Sequence, residues 1–300
     1  MLRLKVLVVV SLLIACCLFV FGQAPQNTRK LEVILLGTGY PRPDPQRAGP
    51  STAVVVGDKF FIIDAGRGVM IRLAATELPQ KQLATVFLTH LHSDHTAGLP
   101  DLFNTTWVIY KRKTPLQLYG PPGVEGLAKA IAEFFKEDIH IRRDLTEMLP
   151  TSGAKISPHA IREGVVYQDP EVKVTAFLVD HAPVRPAFGY RFDAYRKAVV
   201  ISGDTTLSEN LIKHARGADV LIHEAYLPEE LDKRDKPEVA ARLKRYHSTP
   251  EQAGTAAQQA GVKLLVLSHL VPGNDEKTYA ERAAKTFSGR ILVGEDLMRF

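Results

Sequence analysis

The sequence predicts an α/β fold in which mixed β-sheets are flanked by helices. Three observations predict it. Nine apolar, β-branched runs of strand length are spread along the chain, with helical stretches between some of them. The early runs follow one another as closely as hairpins do, and later ones alternate with helices, the pattern of mixed sheets covered by helices. Polar side chains able to bind metals fall at the ends of several apolar runs. A composition of 45% hydrophobic and 24% charged residues supports a large globular core and excludes a disordered chain. No repeat, low-complexity run or long polar linker interrupts the chain, so a single domain over residues 23–300 is expected.

The strand runs are KLEVILLG (30–37), STAVVVG (51–57), KFFIIDAG (59–66), ATVFLTH (84–90), PLQLYG (115–120), VKVTAFLVDH (172–181), KAVVISGD (197–204), ADVLIHEA (218–225) and VKLLVLSH (262–269). Among the helices, GVEGLAKAIAEFFKE (123–137) is amphipathic. TLSENLIKHARG (206–217) follows a Thr and stops at a Gly, as a capped helix does. TPEQAGTAAQQAG (249–261) sets Glu251 near a capping-box position relative to Thr249 and also ends at Gly.

The first residues read differently. MLRLK carries two positive charges, 16 uncharged residues follow, and QAPQNTRK turns polar. That order is a secretory leader over residues 1–22, with Val20 and Gly22 as the small residues before a cut. The run is shorter than the about 20 residues of a membrane span. Retention as an anchor and lipidation of Cys16 in LIAC (13–16) stay open, and the apolar LFVF after the cysteine weighs against lipidation. The expectation is an exported protein, periplasmic or secreted, that meets a membrane only through this segment.

Both cysteines, Cys16 and Cys17, lie in the leader. The domain therefore has no disulfide, thiolate ligand or cysteine nucleophile. Removing Arg3 and Lys5 from 38 basic residues leaves 36 against 33 acidic ones, a net charge near +3. That bias is too weak to argue for nucleic-acid binding by itself.

His90, His181, Asp204, His223 and His269 each close an apolar run. Strand ends are where α/β sheets gather function. Taken singly, each reads as a satisfied or capping residue; five together point to a metal site. In THLHSDHTAGLP (89–100), His90 and His92 are two apart and point the same way in an extended segment. Asp94 and His95 follow where the chain can turn. One loop can thus offer two ligands to each of two ions. His181, Asp204 and His269 are the natural remainder, and a carboxylate such as Asp204 can bridge. Imidazole nitrogens and carboxylate oxygens suit Zn2+, and also Mn2+ or Fe.

These residues resemble the H-x-H-x-D-H signature of the metallo-β-lactamase fold. LGTGYPRP (36–43), IIDAGRGV (62–69), YGPPG (119–123), HAPVRPAFGYRF (181–192), SGDT (202–205), IHEA (222–225), YHSTPEQA (246–253) and LSH (267–269) are similar, in order, to the motifs of the ribonuclease Z and arylsulfatase-like branch. The resemblance covers about residues 30–300. It implies an αββα sandwich, two mixed β-sheets flanked by helices, holding two Zn2+. His90, His92 and His181 would hold one ion, Asp94, His95 and His269 the other, and Asp204 would bridge. Asp64 would orient a ligand histidine, the alternative being a turn residue. His247 would stabilise charge or protonate the leaving oxygen, and Glu224 would set its orientation. Asp94 would accept or steer the proton of a metal-bridging hydroxide that attacks a phosphodiester. Gly37 and Gly39 would permit a turn after the first strand, and Gly189 would let backbone approach the site. Phe188 and Tyr190 are core aromatics or stack on substrate. His223 reads as structural, and His140, His159 and His214 as surface residues.

The same resemblance locates a departure. The arm that grips transfer RNA in ribonuclease Z lies between the positions of His181 and Asp204, which here are only 23 residues apart. That interval fits a strand, a turn and a strand. With the leader, it turns the expectation away from precursor tRNA toward a small-molecule or short nucleotide ester. An arylsulfatase-like sulfate ester hydrolase and a non-catalytic metal-binding protein of the same fold are the alternatives. Relatives of this fold are often homodimers, although no interface is marked in the sequence.

Overall fold

Side-chain alternation in the first strand separates two cores. In β1 (Leu31–Gly37), Val33 and Leu35 join one buried cluster while Ile34 and Leu36 join another. Successive residues of a strand face opposite sides, so a strand apolar at every position must be covered on both faces. β3 (Lys59–Ile63) divides the same way, with Phe61 and Ile63 against Phe60 and Ile62.

The computed structural model describes residues 30–272 and 275–300. The leader, with Cys16 and Cys17, lies outside the described residues. Among those described, no helix is long and apolar enough to cross a membrane.

Six strands form the first sheet in sequence order: β1, β2 (Ser51–Val56), β3, β4 (Thr85–Phe87), β5 (Leu116–Gly120) and β6 (Ile156–Ala160). Its first three strands pair antiparallel and the rest parallel. The second sheet holds β7 (Gly164–Gln168), β8 (Val172–Leu178), β9 (Phe188–Ala194), β10 (Lys197–Ile201), β11 (Val220–Tyr226), β12 (Leu264–Val271) and β13 (Arg290–Val293). Here β7 to β10 pair antiparallel and β10 to β13 parallel. Both sheets are mixed, as expected.

The sheets pack face to face through aromatic rings. Phe61 and Phe87 of the first meet Phe192 and Tyr190 of the second at centroid distances of 5.8 and 5.3 Å, in the tilted geometry that suits ring quadrupoles. Helices Val69–Ala74, Leu99–Val108 and Val124–Phe134 cover the outer face of the first sheet. Helices Glu209–Ala215, Pro250–Ala260 and Glu276–Ala283 cover that of the second. The result is an αββα sandwich. The chain end closes its side: Val33 and Leu35 N–H groups donate to the carbonyls of Phe300 and Met298.

Several sequence expectations need correction. Ser208, not the preceding threonines, caps the helix of Glu209–Ala215. Gln252, not Glu251, completes the capping box with Thr249. Gly37 and Gly39 serve close approach: an added Cβ would lie 1.9 Å from Gly49 O and 2.8 Å from Ala48 O respectively. Gly189 makes room for the Phe177 ring and the Ile201 carbonyl within the second sheet. Phe188 and Tyr190 are buried between the sheets, so the core reading holds. His159 and His214 are half-buried, stacked on Tyr119 and Phe177, while His140 is exposed beside Asp144.

The interval from His181 to Asp204 is fully used. A short loop leads into β9, and Tyr195 and Arg196 turn the chain into β10 with Lys197 opposite Ala194. Both turn residues have positive φ, 50° and 63°, the type I′ geometry that matches strand twist in two-residue hairpins.

Replacing Gly189 by Ala tests the packing. The new Cβ would meet the Phe177 ring at 2.4 Å and Ile201 O at 2.9 Å, and Phe177 is fully buried. Overpacking of this kind costs about 1–3 kcal/mol, or roughly 3–10 °C in Tm at this size. An unchanged calorimetric Tm would contradict the close contact.

Candidate metal centre

The ligand residues come together at one edge of the sandwich because their strands end there. Past β4, the chain runs through Thr89, His90 and His92 into a short helix, Ser93–Thr96, that carries Asp94 and His95. His181 and Asp204 stand three residues beyond β8 and β10. His269 arrives differently. In the pairing of β11 with β12, Glu224 faces Ser268 and Ala225 faces Leu270, so His269 is skipped. It is a bulge residue with φ 48°, and bulges re-aim side chains beside functional sites.

Two groups of donors result. His90, His92, His181 and Asp204 form one; Asp94, His95 and His269 form the other. In the first, His90 Nε2 lies 2.9 Å from His92 Nδ1, and His181 Nε2 lies 3.4 Å from the same atom. In the second, His269 Nε2 is 3.3 Å from an Asp94 oxygen. Asp204 joins them: its carboxylate is 3.8 Å from His90 and His181 and 3.3 and 3.5 Å from His95 and His269. Tetrahedral zinc, with nitrogens at about 2.0–2.1 Å, sets ligand nitrogens roughly 3.3 Å apart, close to these spacings. His95 Nε2 and Asp204 Oδ1 are buried and have no hydrogen-bond partner in the protein. Buried polar atoms are almost always satisfied, and a cation satisfies these two.

Hydrogen bonding fixes which nitrogen of three imidazoles is free. Asp64 accepts from Thr89 N–H with Oδ1, and from Thr89 Oγ1–H and His95 Nδ1–H with Oδ2, each at 2.8 Å. Thr89 has one hydroxyl proton and has given it to Asp64. It therefore accepts from His90 Nδ1–H, 3.0 Å away, leaving His90 Nε2 with its lone pair. His181 Nδ1–H donates to the Tyr246 carbonyl at 2.9 Å, freeing Nε2 in the same way. Such outer partners set tautomer and ring direction at metal sites.

The two groups differ in charge. Burial drives protons off His90, His92 and His181, the last down to about 4. Burial also opposes charge on His95 and His269, but carboxylates outweigh it. Asp204 and Asp64 hold His95 well above the usual imidazole range, and Asp204 and Asp94 hold His269 up to about 9. Asp94 and Asp204 stay ionised although buried, chiefly through His269 and His95.

A second pair adjoins the metal ligands. His247 Nδ1 lies 2.8 Å from Glu224 Oε1, which also accepts from Thr205 N–H at 2.7 Å. Burial raises Glu224, while Glu224 lifts His247 against burial. A cavity of about 310 Å³ opens over His92, Asp94, Asp204, His247 and His269. Tyr40, Arg42, Tyr226 and Tyr246 add to its wall; sequence reasoning did not single them out, although Tyr40, Arg42 and Tyr246 lie inside quoted motifs. Thr89 and the Tyr246 carbonyl were also missed, each one residue before a named histidine. Of the five strand-end residues, His223 does not join. It sits inside β11, not at its end, fully buried, with Nδ1 donating to the Glu224 carbonyl.

Two outcomes follow for metal uptake. Asp64→Asn exchanges one accepting oxygen for a donor facing Thr89 and His95, and metal affinity is expected to drop about 10–100-fold; chelator competition on the folded variant reads it, and wild-type affinity would refute the orienting role. The second concerns pH. The three histidines of the first group are already neutral and Asp204 is already ionised, so metal uptake there should be nearly flat between pH 6 and 8. His95 and His269 have raised values, so their charge adds stability to the metal-free protein that is complete below about 6.5 and is lost, for His269, through about 9. Metal must displace those protons, so affinity of the second group should rise at least about tenfold per pH unit. Metal affinity of the second group that does not change with pH would exclude this asymmetry.

A family model described as a β-lactamase superfamily domain matches residues 60–270. Ribonuclease Z of Mycobacterium sp. (strain KMS) is 39% identical over 282 residues, taking in 90% of this chain and 95% of the relative. Ninety per cent of the chain is about 270 residues, so about a dozen aligned positions remain for insertions in that relative, too few for a long arm. Among solved structures, the metallo-β-lactamase fold protein YhfI from Bacillus subtilis is similar with TM-score 0.71 and 20% identity, covering 90% of this chain and 98% of that one. The short form of human tRNase Z is similar with TM-score 0.68 and 24% identity, over 90% and 98%. These two likenesses concern the fold, whereas the sequence match is closer. The chain belongs to the ribonuclease Z branch of the metallo-β-lactamase fold and is a metal-dependent hydrolase.

Proposed function

We propose that the chain is an exported phosphodiesterase of ribonuclease Z type that works with two divalent ions, zinc by preference, and cleaves small or single-stranded phosphodiesters. The observation that carries this reading is one wall of one cavity, where two donor groups sharing Asp204 stand beside the Glu224–His247 pair. A metal-binding protein without turnover needs no proton donor there. Nitrogen and carboxylate donors without sulfur suit zinc. Export rests on the order of charge and hydrophobicity in residues 1–22.

His90, His92 and His181 would hold one ion, Asp94, His95 and His269 the second, with Asp204 common to both. When bound, such a pair supplies a nucleophilic water deprotonated near pH 7 and neutralises charge on the phosphate. Asp94 stands where it can accept or steer that proton. Glu224 engages His247 through Nδ1 and so directs Nε2 toward the cavity, where it can protonate a leaving alkoxide. Glu224 is itself held by Thr205 N–H, which fixes the direction of the imidazole.

The short interval between His181 and Asp204 does not by itself separate precursor tRNA from other RNA, and the turn away from precursor tRNA rests on the leader. Relatives named ribonuclease Z leave no room for the arm either, so the interval is compatible with RNA as a class of substrate.

The acid role separates two substrates. His247→Ala should lower kcat about 10²–10⁴-fold for an oligonucleotide, whose leaving alkoxide needs a proton. It should affect bis-p-nitrophenyl phosphate far less, because nitrophenolate leaves unaided. Metal content should stay at the wild-type value, since His247 belongs to neither donor group. Equal losses on both substrates would remove the acid role. Wild-type turnover of p-nitrophenyl sulfate without any phosphodiester turnover would overturn the phosphodiesterase reading.

A further inference from the structure

His269 is aimed differently from the other imidazoles of the centre. A hydroxyl, a carboxylate and a carbonyl accept from Nδ1–H of His90, His95 and His181 respectively. His269 Nδ1 is buried and has no hydrogen-bond partner among the described residues. Backbone is left to direct its ring, and that backbone is the bulge at φ 48°. A bulged residue is unpaired in the ladder, so the chain on either side of it must be held by something else.

Two segments distant in sequence hold it. Before the bulge, the Leu267 carbonyl accepts from Gly294 N–H at 2.7 Å; after it, Leu270 N–H donates to the Thr38 carbonyl at 2.9 Å. Thr38 is fully buried. Its N–H and Oγ1–H donate to Asp296 Oδ1 at 3.0 and 2.8 Å. Its Oγ1 accepts from Arg47 Nη1 at 2.7 Å, and the same nitrogen donates to the Gly294 carbonyl at 2.7 Å. Asp296 Oδ2 accepts from Ala48 N–H at 2.7 Å and from Arg72 Nε–H at 2.8 Å. The carboxylate of Asp296, itself almost buried, thus takes two bonds on each oxygen. That is about its full capacity, and bonds to a charged acceptor are the stronger kind.

The bond to Ala48 reaches a second ligand of the same donor group. Gly49, the next residue, donates its N–H to the Arg67 carbonyl at 2.8 Å. A Cβ on Gly49 would lie 3.2 Å from Asp94 O, and one on Gly66 2.6 Å from it. The chain that Asp296 fixes is therefore laid against the backbone of Asp94. The outer partners of the first donor group, Thr89 and the Tyr246 carbonyl, lie on other segments.

We infer that Asp296 is a positioning residue for the second metal ion. Through Thr38 it fixes the bulge that aims His269, and through Ala48 it fixes the backbone packed on Asp94. Asp64 orients His95 by a direct bond; Asp296 serves His269 indirectly, through backbone. It touches neither ion nor substrate. The inference rests on the two-ion reading and deepens it: the second site takes its geometry from a carboxylate that the first does not use, so it can be weakened alone.

The test uses the full chain with Asp296→Asn. The amide keeps the shape of the carboxylate but turns its NH2 toward former donors, so two of the four bonds are lost. In the metal-free protein, hydrogen exchange followed by NMR should show Leu270 N–H exchanging at least about tenfold faster, with Leu265 and Val266 at their wild-type rates. Zinc affinity is then read by chelator competition. His269→Ala marks the binding step of the second group, and His181→Ala that of the first. Asp296→Asn should weaken the step marked by His269→Ala about tenfold, the lower end for outer partners of metal ligands, and leave the other step at its wild-type affinity. If Asp296→Asn does not fold, Arg72→Ala, which removes one bond to Oδ2, should show the same pattern at smaller size. An unchanged exchange rate at Leu270 would overturn the inference. Equal weakening of both steps, or a lower Tm with neither step changed, would overturn it as well. Binding of a single ion by the wild-type protein would instead count against the two-ion reading, and the Leu270 amide would still decide whether Asp296 holds the bulge.

Discussion

The Asp64 carboxylate is the constraint on which the candidate centre depends. It is buried, and its two oxygens take three hydrogen bonds from Thr89 and His95. These bonds turn the His95 ring, hold the backbone at the start of the ligand loop and, through the Thr89 hydroxyl, set the tautomer of His90. One side chain therefore decides which nitrogen is available on a member of each donor group. The position is costly to adopt. Asp64 has φ 59°, a region that side chains other than Gly, Asn and Asp seldom occupy. Its amide donates to Phe87 O and its carbonyl accepts from Ser51 Oγ–H, so neighbouring strands hold it there. Backbone strain of this kind persists where surrounding structure over-determines it, commonly at functional sites.

The double sheet makes that over-determination available. Strands apolar on both faces are locked by the layers on either side, and a one-residue slip would expose an entire face. Loops leaving such strands start from fixed points. That is why residues as distant in sequence as His90, His181, Asp204 and His269 can converge to within hydrogen-bonding distances. The convergence has an electrostatic cost, since Asp94 and Asp204 are both buried. Without metal, His95 and His269 meet it by carrying protons. A metal ion would take the place of those protons, so the folded chain is already arranged around positive charge.

Much of this was legible in the sequence, and the exceptions have physical reasons. The central strands were readable because both their faces are apolar. β6, β7 and β13 were not, because these edge strands are only partly buried and carry a weak apolar pattern, whereas the edge strand β1 is buried on both faces and was read; central β9 was expected only as an unlocated strand between His181 and Asp204. The β9–β10 turn uses Tyr195 and Arg196 where Asn-Gly would have signalled it. Ligand residues were legible as types that rarely cluster by accident, but not the device that delivers His269. A bulge is a property of pairing between strands, and nothing in LSHLV reveals it. His223 shows the opposite case: the strand end read for it lies inside a longer strand, while its reading as a structural residue holds. Two seven-residue helices, Pro228–Arg234 and Pro237–Leu243, also went unread. Their signal was present in a Pro at the first helical position with acids in the first turn.

Those two helices form part of the cavity wall, through Leu231 and Leu243. They stand between Glu224 and His247, and Leu231 and Ala240 anchor them to Tyr226 and Val271 in a small cluster separate from the main cores. The floor of the cavity is built from strand ends of a doubly covered sandwich and has little freedom to change. The walls are built from the loop after β1 and from this helical pair, each fastened by a few contacts. A change of substrate can therefore proceed in the walls without disturbing the donors beneath. The same division explains the closed interval between His181 and Asp204. A hairpin with a two-residue turn occupies it and ties β9 to β10 beneath the cavity, leaving variation in shape to the rim.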